Sequence, residues 1–369
     1  MQQQEPGTRR SLTRAAISLI GWCGLLGALT VCFMGLSTFV APDFWFADNM
    51  SFFLTQYLMA GLAGVIGGLL GLFVSHRFKL LYRFFWLLSL AAFAALVALT
   101  SSRTQANTVS PTPLADGRQP LKIISINIEH LFLGDEVLTS FLEREKADIV
   151  VMQEVLWWLQ ERRWERLGLP VGSTGQNGFP EHLQIGELGG LAVYSRFPIL
   201  KAETKVIQGK LPAGANVYYD ADRELLSLTL DTGDTPLQLV VIHPDSPRTE
   251  PRWQNKRDYL DELDEVIERL RNENSGHILA IGDWNSSPWS GRFQETLIAN
   301  KLATAYPGGW PRNTRFFFDY RLHKILGAPV DQFGASSDLQ VVDVTLGPDI
   351  GSDHLPLIVE LGLVEPGPD

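Results

Sequence analysis

A layered α/β domain behind a helical membrane anchor is the architecture that the sequence predicts. Two observations carry this expectation: charge-free apolar stretches crowd residues 1–102, and short β-branched runs alternate with helical patterns beyond them. Charge separates the same two regions. Residues 1–120 hold 8 Lys and Arg against 4 Asp and Glu, whereas residues 121–369 hold 23 against 37. With 45% hydrophobic residues in 369 positions, the chain is too apolar and too varied for a disordered tail.

The apolar stretches are Ala15 to Val40, Ser51 to Ser75 and Phe84 to Ser102. Each is near the roughly 20 residues that cross a hydrocarbon core as a helix. A cleaved signal peptide accounts only for the first, and that run exceeds the apolar core of a signal. Three uncleaved spans over residues 1–102 are therefore expected. Arg9, Arg10 and Arg14 precede the first span, and Arg77, Lys79 and Arg83 separate the second from the third, so these flanks belong on the cytoplasmic side. The connection from Ala41 to Met50 carries Asp43 and Asp48 and no basic residue. It faces outward, as does everything after the third span, which makes a multi-pass cell-membrane protein with an extracytoplasmic domain. Cys23 and Cys32 both lie in the first span, leaving no disulfide framework to read.

Residues 103–120 are polar and carry three prolines, which suits an extended tether. The domain then occupies residues 121–369, with neither an internal repeat nor a low-complexity block. Buried strands are expected at 122–127, 147–154, 191–195, 237–243 and 277–285. Between them, Asp258 to Arg271 puts Leu263, Val266, Ile267 and Leu270 on one helical face, and Asp135 to Lys146 repeats the pattern more weakly.

Apolar strands run directly into polar residues at Asn127, Glu154, His243, and Asp283 with Asn285. Taken singly, such endings are commonly turn chemistry, because turns need Asn, Asp and Gly. Taken together, they are candidates for one crevice, because the carboxyl ends of strands in layered α/β proteins aim side chains into shared clefts. Gly351-Ser352-Asp353-His354 adds an acid beside an imidazole just before the apolar run LPLIVEL.

The ordered set ISIN, VVMQE, VVIHPDSP, IGDWNSSP, VDQF and GSDH resembles the endonuclease/exonuclease/phosphatase superfamily, the metal-dependent phosphodiesterases and phosphatases related to deoxyribonuclease I. It spans about residues 121 to 362. Each motif alone is weak, but six in the family's order are a specific signal. The nearest likeness is to bacterial membrane-anchored members, which also place apolar helices before the domain. The resemblance implies a four-layer α/β/β/α sandwich of two mixed sheets with its site at one edge.

It also implies roles. Glu154 matches the family's metal-binding Glu, and an oxygen ligand of this kind suits Mg²⁺ or Mn²⁺. Asp283 matches the residue that orients or deprotonates the attacking water, and Asn285 the amide that holds the phosphate and that Asp. Asp331 and His354 match a carboxylate–imidazole couple that favours a charged ring beside the phosphate. His243 matches a second phosphate-contacting histidine, Asn127 a strand-end amide, and Asp353 a second acid near the metal. Glu129 stands where several nucleases carry a metal-coordinating acid and others none, so solvent exposure and ligation are both open. His76, His130, His182, His277 and His323 match no motif. Two departures stand out: Gln332 follows Asp331 where the family has Tyr, His or Trp, and Asp245 sits inside the His243 motif.

No GxSxG elbow, HExxH, Walker A loop or CxxC pair is present. Asn285-Ser286-Ser287 matches a glycosylation acceptor by pattern, which would occlude the implied site and is discounted. The aromatic run around Trp157, Trp158 and Trp164 reads as a helix burying its rings rather than as a lipid contact. The implied activity is hydrolysis of a phosphodiester or phosphomonoester in or near the envelope, such as a lipid headgroup, by in-line attack of water. An extracytoplasmic nuclease is the alternative, and a tethered binding module that has lost turnover a lesser one. Duplex DNA is disfavoured by the domain's acidity unless Arg312, Arg315 and Arg321 form a local basic patch. The expected partners are the bilayer and that phosphate ester.

Overall fold

The computed structural model describes residues 6–73, 79–114, 119–129, 131–156, 174–210, 221–233, 235–273 and 277–363. The aromatic run at 157–164, His76 and His130 lie outside these residues. The chain divides into two compact units, one covering Met1–Arg103 with Trp289–Gly291, the other Thr104–Pro288 with Arg292–Asp369.

The first unit is helical. α1 spans Pro6–Val40, α2 Trp45–Met50, α3 Leu54–Leu72 and α4 Lys79–Gln105. Three stretches, Thr13–Val40, Trp45–Leu72 and Lys79–Gln105, are long and apolar enough to cross a membrane, with mean hydropathy of 2.0, 1.6 and 2.1. Small residues let these helices approach closely: a Cβ on Gly64 would meet the Gly24 carbonyl and Ala28 on α1.

Among the described residues, fourteen strands build the second unit. They are β1 (Leu121–Asn127), β2 (Ile149–Gln153), β3 (His182–Ile185), β4 (Leu191–Ser195), β5 (Ile199–Ile207), β6 (Arg223–Leu230) and β7 (Leu237–Ile242). There follow β8 (His277–Asp283), β9 (Leu302–Ala303), β10 (Arg315–Phe316), β11 (Gly327–Ala328), β12 (Asp331–Ser336), β13 (Leu339–Leu346) and β14 (Leu357–Leu363). One sheet has the order β13-β14-β1-β2-β4-β3, the other β5-β6-β7-β8-β12-β9, and β10 pairs with β11 alone. Both large sheets are mixed, for β1 with β2 and β7 with β8 are parallel pairs among antiparallel ones.

Alternation along the strands decides the layers. Ile123, Ile149, Val151, Leu239, Val241, Leu279, Ile281 and Phe333 meet in one core between the sheets. Ile124, Val150 and Met152 face outward onto Leu138, Phe141 and Leu142 of α5 (Glu136–Glu145). Val240, Ile278 and Ala280 pack against Leu260, Leu263 and Ile267 of α6 (Glu250–Glu273), with Phe293 of α7 (Gly291–Ala299). The result is a four-layer α/β/β/α sandwich. Asp135 caps α5 by accepting from the Val137 amide at 2.9 Å, and Lys146 ends it in the left-handed conformation.

The stretch read as an extended tether is ordered in part. Helix α4 continues to Gln105, Thr108 bridges Thr304 of the loop after β9, and the Thr112 amide donates to the Val341 carbonyl on β13. β9 and β13 are the outer strands of their sheets, whose unpaired backbone groups need partners, and this passing chain supplies them.

Candidate active site

The alternation that fills the core also aims the polar residues. Two positions beyond Val241 on the same strand face comes His243, and two beyond Ile281 comes Asp283; Asn127 stands four beyond Ile123. Asp331 opens β12 directly opposite Asp283 in the antiparallel register, and Phe333 and Ala335 continue its inward face. Where the core ends, that face becomes a site shared by both sheets.

Glu154 and Asn285 come in by another route. Glu154 has the parity of Val150 and Met152, which face the helical layer, but its φ of +58° turns the chain. Asn285 has φ +44° and Glu129 φ +46°. Left-handed backbone at such residues is sparsely populated, and three instances meet at this one place. Gly282, immediately before Asp283, has φ +152°, and a Cβ there would run into the Ile242 carbonyl oxygen. Only glycine lets β7 and β8 stay that close at the site.

Asn127 is the hub. Its Nδ2 donates to Glu154 Oε1 at 3.0 Å and to Asp283 Oδ2 at 3.2 Å, and its Oδ1 accepts the Glu129 amide at 3.0 Å. The second bond crosses from one sheet to the other. Ser352 Oγ donates to the Asn127 carbonyl at 2.7 Å and accepts the His354 amide at 3.0 Å, which ties the GSDH loop to the end of β1. Asp283 Oδ1 accepts the Asn285 amide at 2.9 Å, and Asn285 Nδ2 donates to the Pro244 carbonyl at 3.0 Å.

Two imidazoles flank Asp283 with opposite electrostatics. His243 Nε2 lies 3.5 Å from Glu154 Oε1 and 3.7 Å from Asp283 Oδ2. Burial pushes its pKa below the ordinary histidine value despite both acids. His354 Nδ1 bonds Asp331 Oδ2 at 2.9 Å, and its Nε2 stands 3.8 Å from Asp283 Oδ2. Burial opposes charging this ring too, but Asp331 and Asp283 outweigh it and raise the pKa to about 9. Burial and the nearby Asp331 raise the Asp283 carboxyl, against the pull of His354, His243 and the Asn285 amide. Asp283, Asp331 and His354 form a buried acid–imidazole cluster whose ligand atoms lie within 4.8 Å of one another.

The other implied ligands sit at the rim. Glu154 keeps 31% of its side chain exposed, so its carboxylate is open to solvent on one side. Asp353 Oδ2 is held by Arg315 at 2.8 Å and 3.0 Å, and its Oδ1 lies 3.6 Å from His354 Nε2. Glu129 is exposed and its Oε2 accepts the Asp353 amide at 3.2 Å. A groove of about 360 Å³ leads away past Glu154, Leu156, Arg223 and His243.

Tyr259 and Thr314 support the site and carry no signal in the sequence. Tyr259, on the buried face of α6, accepts the His243 amide at 2.9 Å and donates to the Glu224 carbonyl at 2.8 Å. Thr314 Oγ1 accepts the amides of Val330 and Asp331, both at 3.0 Å. Asp245, the departure inside the His243 motif, is a buried anchor that accepts from Arg223 and from Arg252 at 3.0 Å and 2.7 Å. The basic patch does not form as a set of free cations: Arg315 pairs with Asp353 and Arg321 with Asp319. His277 is buried beside Asp338, and His323 stacks on Tyr320.

The sequence profile described as the Endonuclease/Exonuclease/phosphatase family matches residues 124–354. The chain belongs to this family. Its members are hydrolases acting on phosphate esters. Among solved structures, one similar chain is an endonuclease/exonuclease/phosphatase from Beutenbergia cavernae, 18% identical, covering 67% of this chain and 72% of its own, with TM-score 0.49. A mannosyl-6-phosphatase from Bacteroides thetaiotaomicron is 17% identical over 66% of this chain and 99% of its own, with TM-score 0.46. The human Nocturnin catalytic domain, solved with bound sulfate, is 17% identical over 68% and 97%, with TM-score 0.45. No curated protein sequence matches the chain. The family profile ends at His354, so it takes in both histidines, the acid cluster and Glu154 of this phosphoesterase-type domain.

Proposed function

We propose that the protein is a membrane-anchored, divalent-metal-dependent phosphoesterase that attacks a phosphodiester or phosphomonoester in line with an activated water. The observation that supports it best is the convergence of Asn127, Glu154, His243, Asp283, Asn285 and His354, from both sheets, around one point. Glu154 is the metal ligand, because it alone among these acids combines an open carboxylate with a fixed backbone, and hard oxygen donors suit Mg²⁺ or Mn²⁺. Asp353 contributes at most Oδ1, since Arg315 holds the other oxygen, and Glu129 stands behind it at the surface. The ion supplies charge neutralisation on the phosphoryl oxygens.

The chain's own groups do the rest. Asp283, its carboxyl raised by burial and its orientation held by the Asn285 and Asn127 hydrogen bonds, takes the proton of the attacking water. His354, cationic at neutral pH through Asp331, offers positive charge to the phosphoryl group. His243 and the Asn285 amide position the phosphate.

The full chain in detergent is expected to hydrolyse bis(p-nitrophenyl) phosphate or p-nitrophenyl phosphate with Mg²⁺ or Mn²⁺. Chelator abolishes turnover and metal restores it. Glu154→Gln raises the metal concentration for half-maximal rate by about 10-fold or more. Turnover indifferent to chelator would reject the metal-dependent reading. Sphingomyelin vesicles and plasmid DNA complete the panel. A lipid headgroup is favoured over DNA, because residues 121–369 carry 23 basic against 37 acidic residues and duplex binding depends on neutralising phosphates.

The basic flanks Arg9, Arg10, Arg14, Lys79 and Arg83 support an extracytoplasmic catalytic unit. A reporter fused after Asp369 then behaves as exported. Cytoplasmic reporter activity reverses the orientation.

A further inference from the structure

Between β10 and β11 the chain makes a hairpin, residues 315–328, whose stem is built onto the site. Arg315 pairs with His354 in an antiparallel bridge and clamps Asp353, and the Phe316 amide donates to the Asp353 carbonyl at 2.9 Å. The tip is folded on itself. Asp319 caps a 3₁₀ turn over Tyr320–Leu322, the Leu326 amide donates to the Leu322 carbonyl at 2.7 Å, Phe316 meets Tyr320 edge to face, and Tyr320 stacks on His323. This ordered tip turns its apolar side chains outward: Phe318 is 82% exposed, Ile325 53% and Leu322 44%, with Phe317 and Leu326 exposed beside them.

No other part of the described catalytic unit does this. Its remaining exposed large hydrophobics, Val109, Val137, Leu188, Leu200 and Ile298, are far apart along the chain. Scattered apolar residues are ordinary, whereas a contiguous group marks a contact surface. The charge around the tip is also unlike that of the rest of the unit. Of the cations at 312–326, Arg315 is paired with Asp353 and Arg321 with Asp319, while Arg312 and Lys324 join no ion pair with a described residue, which leaves two unneutralised cations in an otherwise acidic domain. An aromatic and aliphatic tip that carries an unneutralised cation such as Lys324 fits the boundary between headgroups and acyl chains, where rings enter the apolar layer and cations stay with anionic phosphates. A bilayer is at hand along the chain: the last membrane-length helix ends at Gln105, and pairing with the catalytic unit begins at Thr108.

We infer that the 315–328 hairpin is a bilayer-docking element, which seats Phe318, Leu322 and Ile325 in an anionic leaflet and presents a lipid phosphate ester to the site at its stem. This deepens the proposed phosphoesterase function and rests on it for the identity of the substrate. The docking itself does not.

The test uses the full chain in nanodiscs containing phosphatidylglycerol, with Cys23 and Cys32 replaced by alanine and a spin label on Phe318→Cys or, as a control, on Ile298→Cys. The label at 318 is expected to collide more with oxygen than with a water-soluble nickel chelate, and the label at 298 the reverse. A label at 318 as water-accessible as the one at 298 overturns the inference. So does a label shielded from both reagents, which means that protein covers the tip. In the same discs, Phe318→Asp with Leu322→Asp is expected to lower hydrolysis of the disc's phospholipid at least 10-fold and leave bis(p-nitrophenyl) phosphate turnover within 2-fold. Equal loss on both esters overturns the presenting role. If the parent chain hydrolyses no ester at all, the phosphoesterase reading fails, and the label experiment still decides docking.

Discussion

Asp283→Asn is expected to lower kcat by about 10³-fold, with KM within a few fold and a melting temperature close to that of the parent chain. The two halves of this result come from one fact. The Asp283 carboxyl is buried, and burial together with Asp331 raises its pKa although two imidazoles and the Asn285 amide favour its charge. A raised carboxyl is a stronger base, suited to taking a proton from water. It is also a group whose ionisation the fold disfavours, so a neutral amide of the same shape removes a penalty, which offsets the loss of its bond to Asn127 and of its attraction to His354. Asparagine keeps an oxygen for the Asn285 amide, but its NH2 replaces the oxygen that accepts from Asn127, and the proton acceptor is lost. Rates on p-nitrophenyl esters and a thermal melt, taken together, check the result. A variant within 10-fold of the parent rate shows that Asp283 is not the base.

The second large effect is on stability, and it belongs to His354. Its pKa lies near 9 in the fold and near 6.5 in an unfolded chain, because Asp331 and Asp283 outweigh the burial of the ring. A histidine raised in this way contributes stability that is fully present below the unfolded value and is lost as pH rises through the folded one. The gap corresponds to about 3 kcal/mol. With chelator present, urea unfolding is therefore expected to show the fold weakening by about this amount from pH 6 to pH 10. Asp331→Asn flattens that slope, because the hydrogen-bonded carboxylate that holds the imidazolium is gone. A parent chain whose stability is level across this window, or a variant that keeps the full slope, shows that His354 is not charged by Asp331.

Strands buried on both faces were easy to read. The expected strands at 122–127, 191–195 and 237–243 lie within one residue of β1, β4 and β7, because unbroken β-branched runs have no helical alternative of that length. β5 was not legible. Its residues ILKAETKVI mix charge with apolar positions, as a partly exposed outer strand does. The helix expected at 258–271 proved to be the second half of Glu250–Glu273, since its first turns carry Trp253, Asn255 and Lys256, whose burial has no helical apolar stripe to announce it.

The polar strand endings had the same mixed legibility. Asn127, His243 and Asp283 continue an apolar alternation, and period-two geometry alone puts them on one face of their strands. That Glu154 joins them depends on a single left-handed φ, which no residue type in VVMQE requires. The supports are further still from view. Tyr259 meets the backbone of His243 across 16 residues and Arg315 meets Asp353 across 38.

Residue identity and spacing were enough to say which groups stand at strand ends and that they could serve one phosphate, because alternation and burial are local rules. Asn127 and Asp283 are 156 residues apart and 3.2 Å from each other. That closeness arises from two sheets packing face to face on a shared apolar core, a long-range event set by the fit of side chains from every strand at once. The same packing sets the electrostatics: a buried Asp331 beside a buried ring makes His354 a cation, whereas burial with less compensation lowers the pKa of His243.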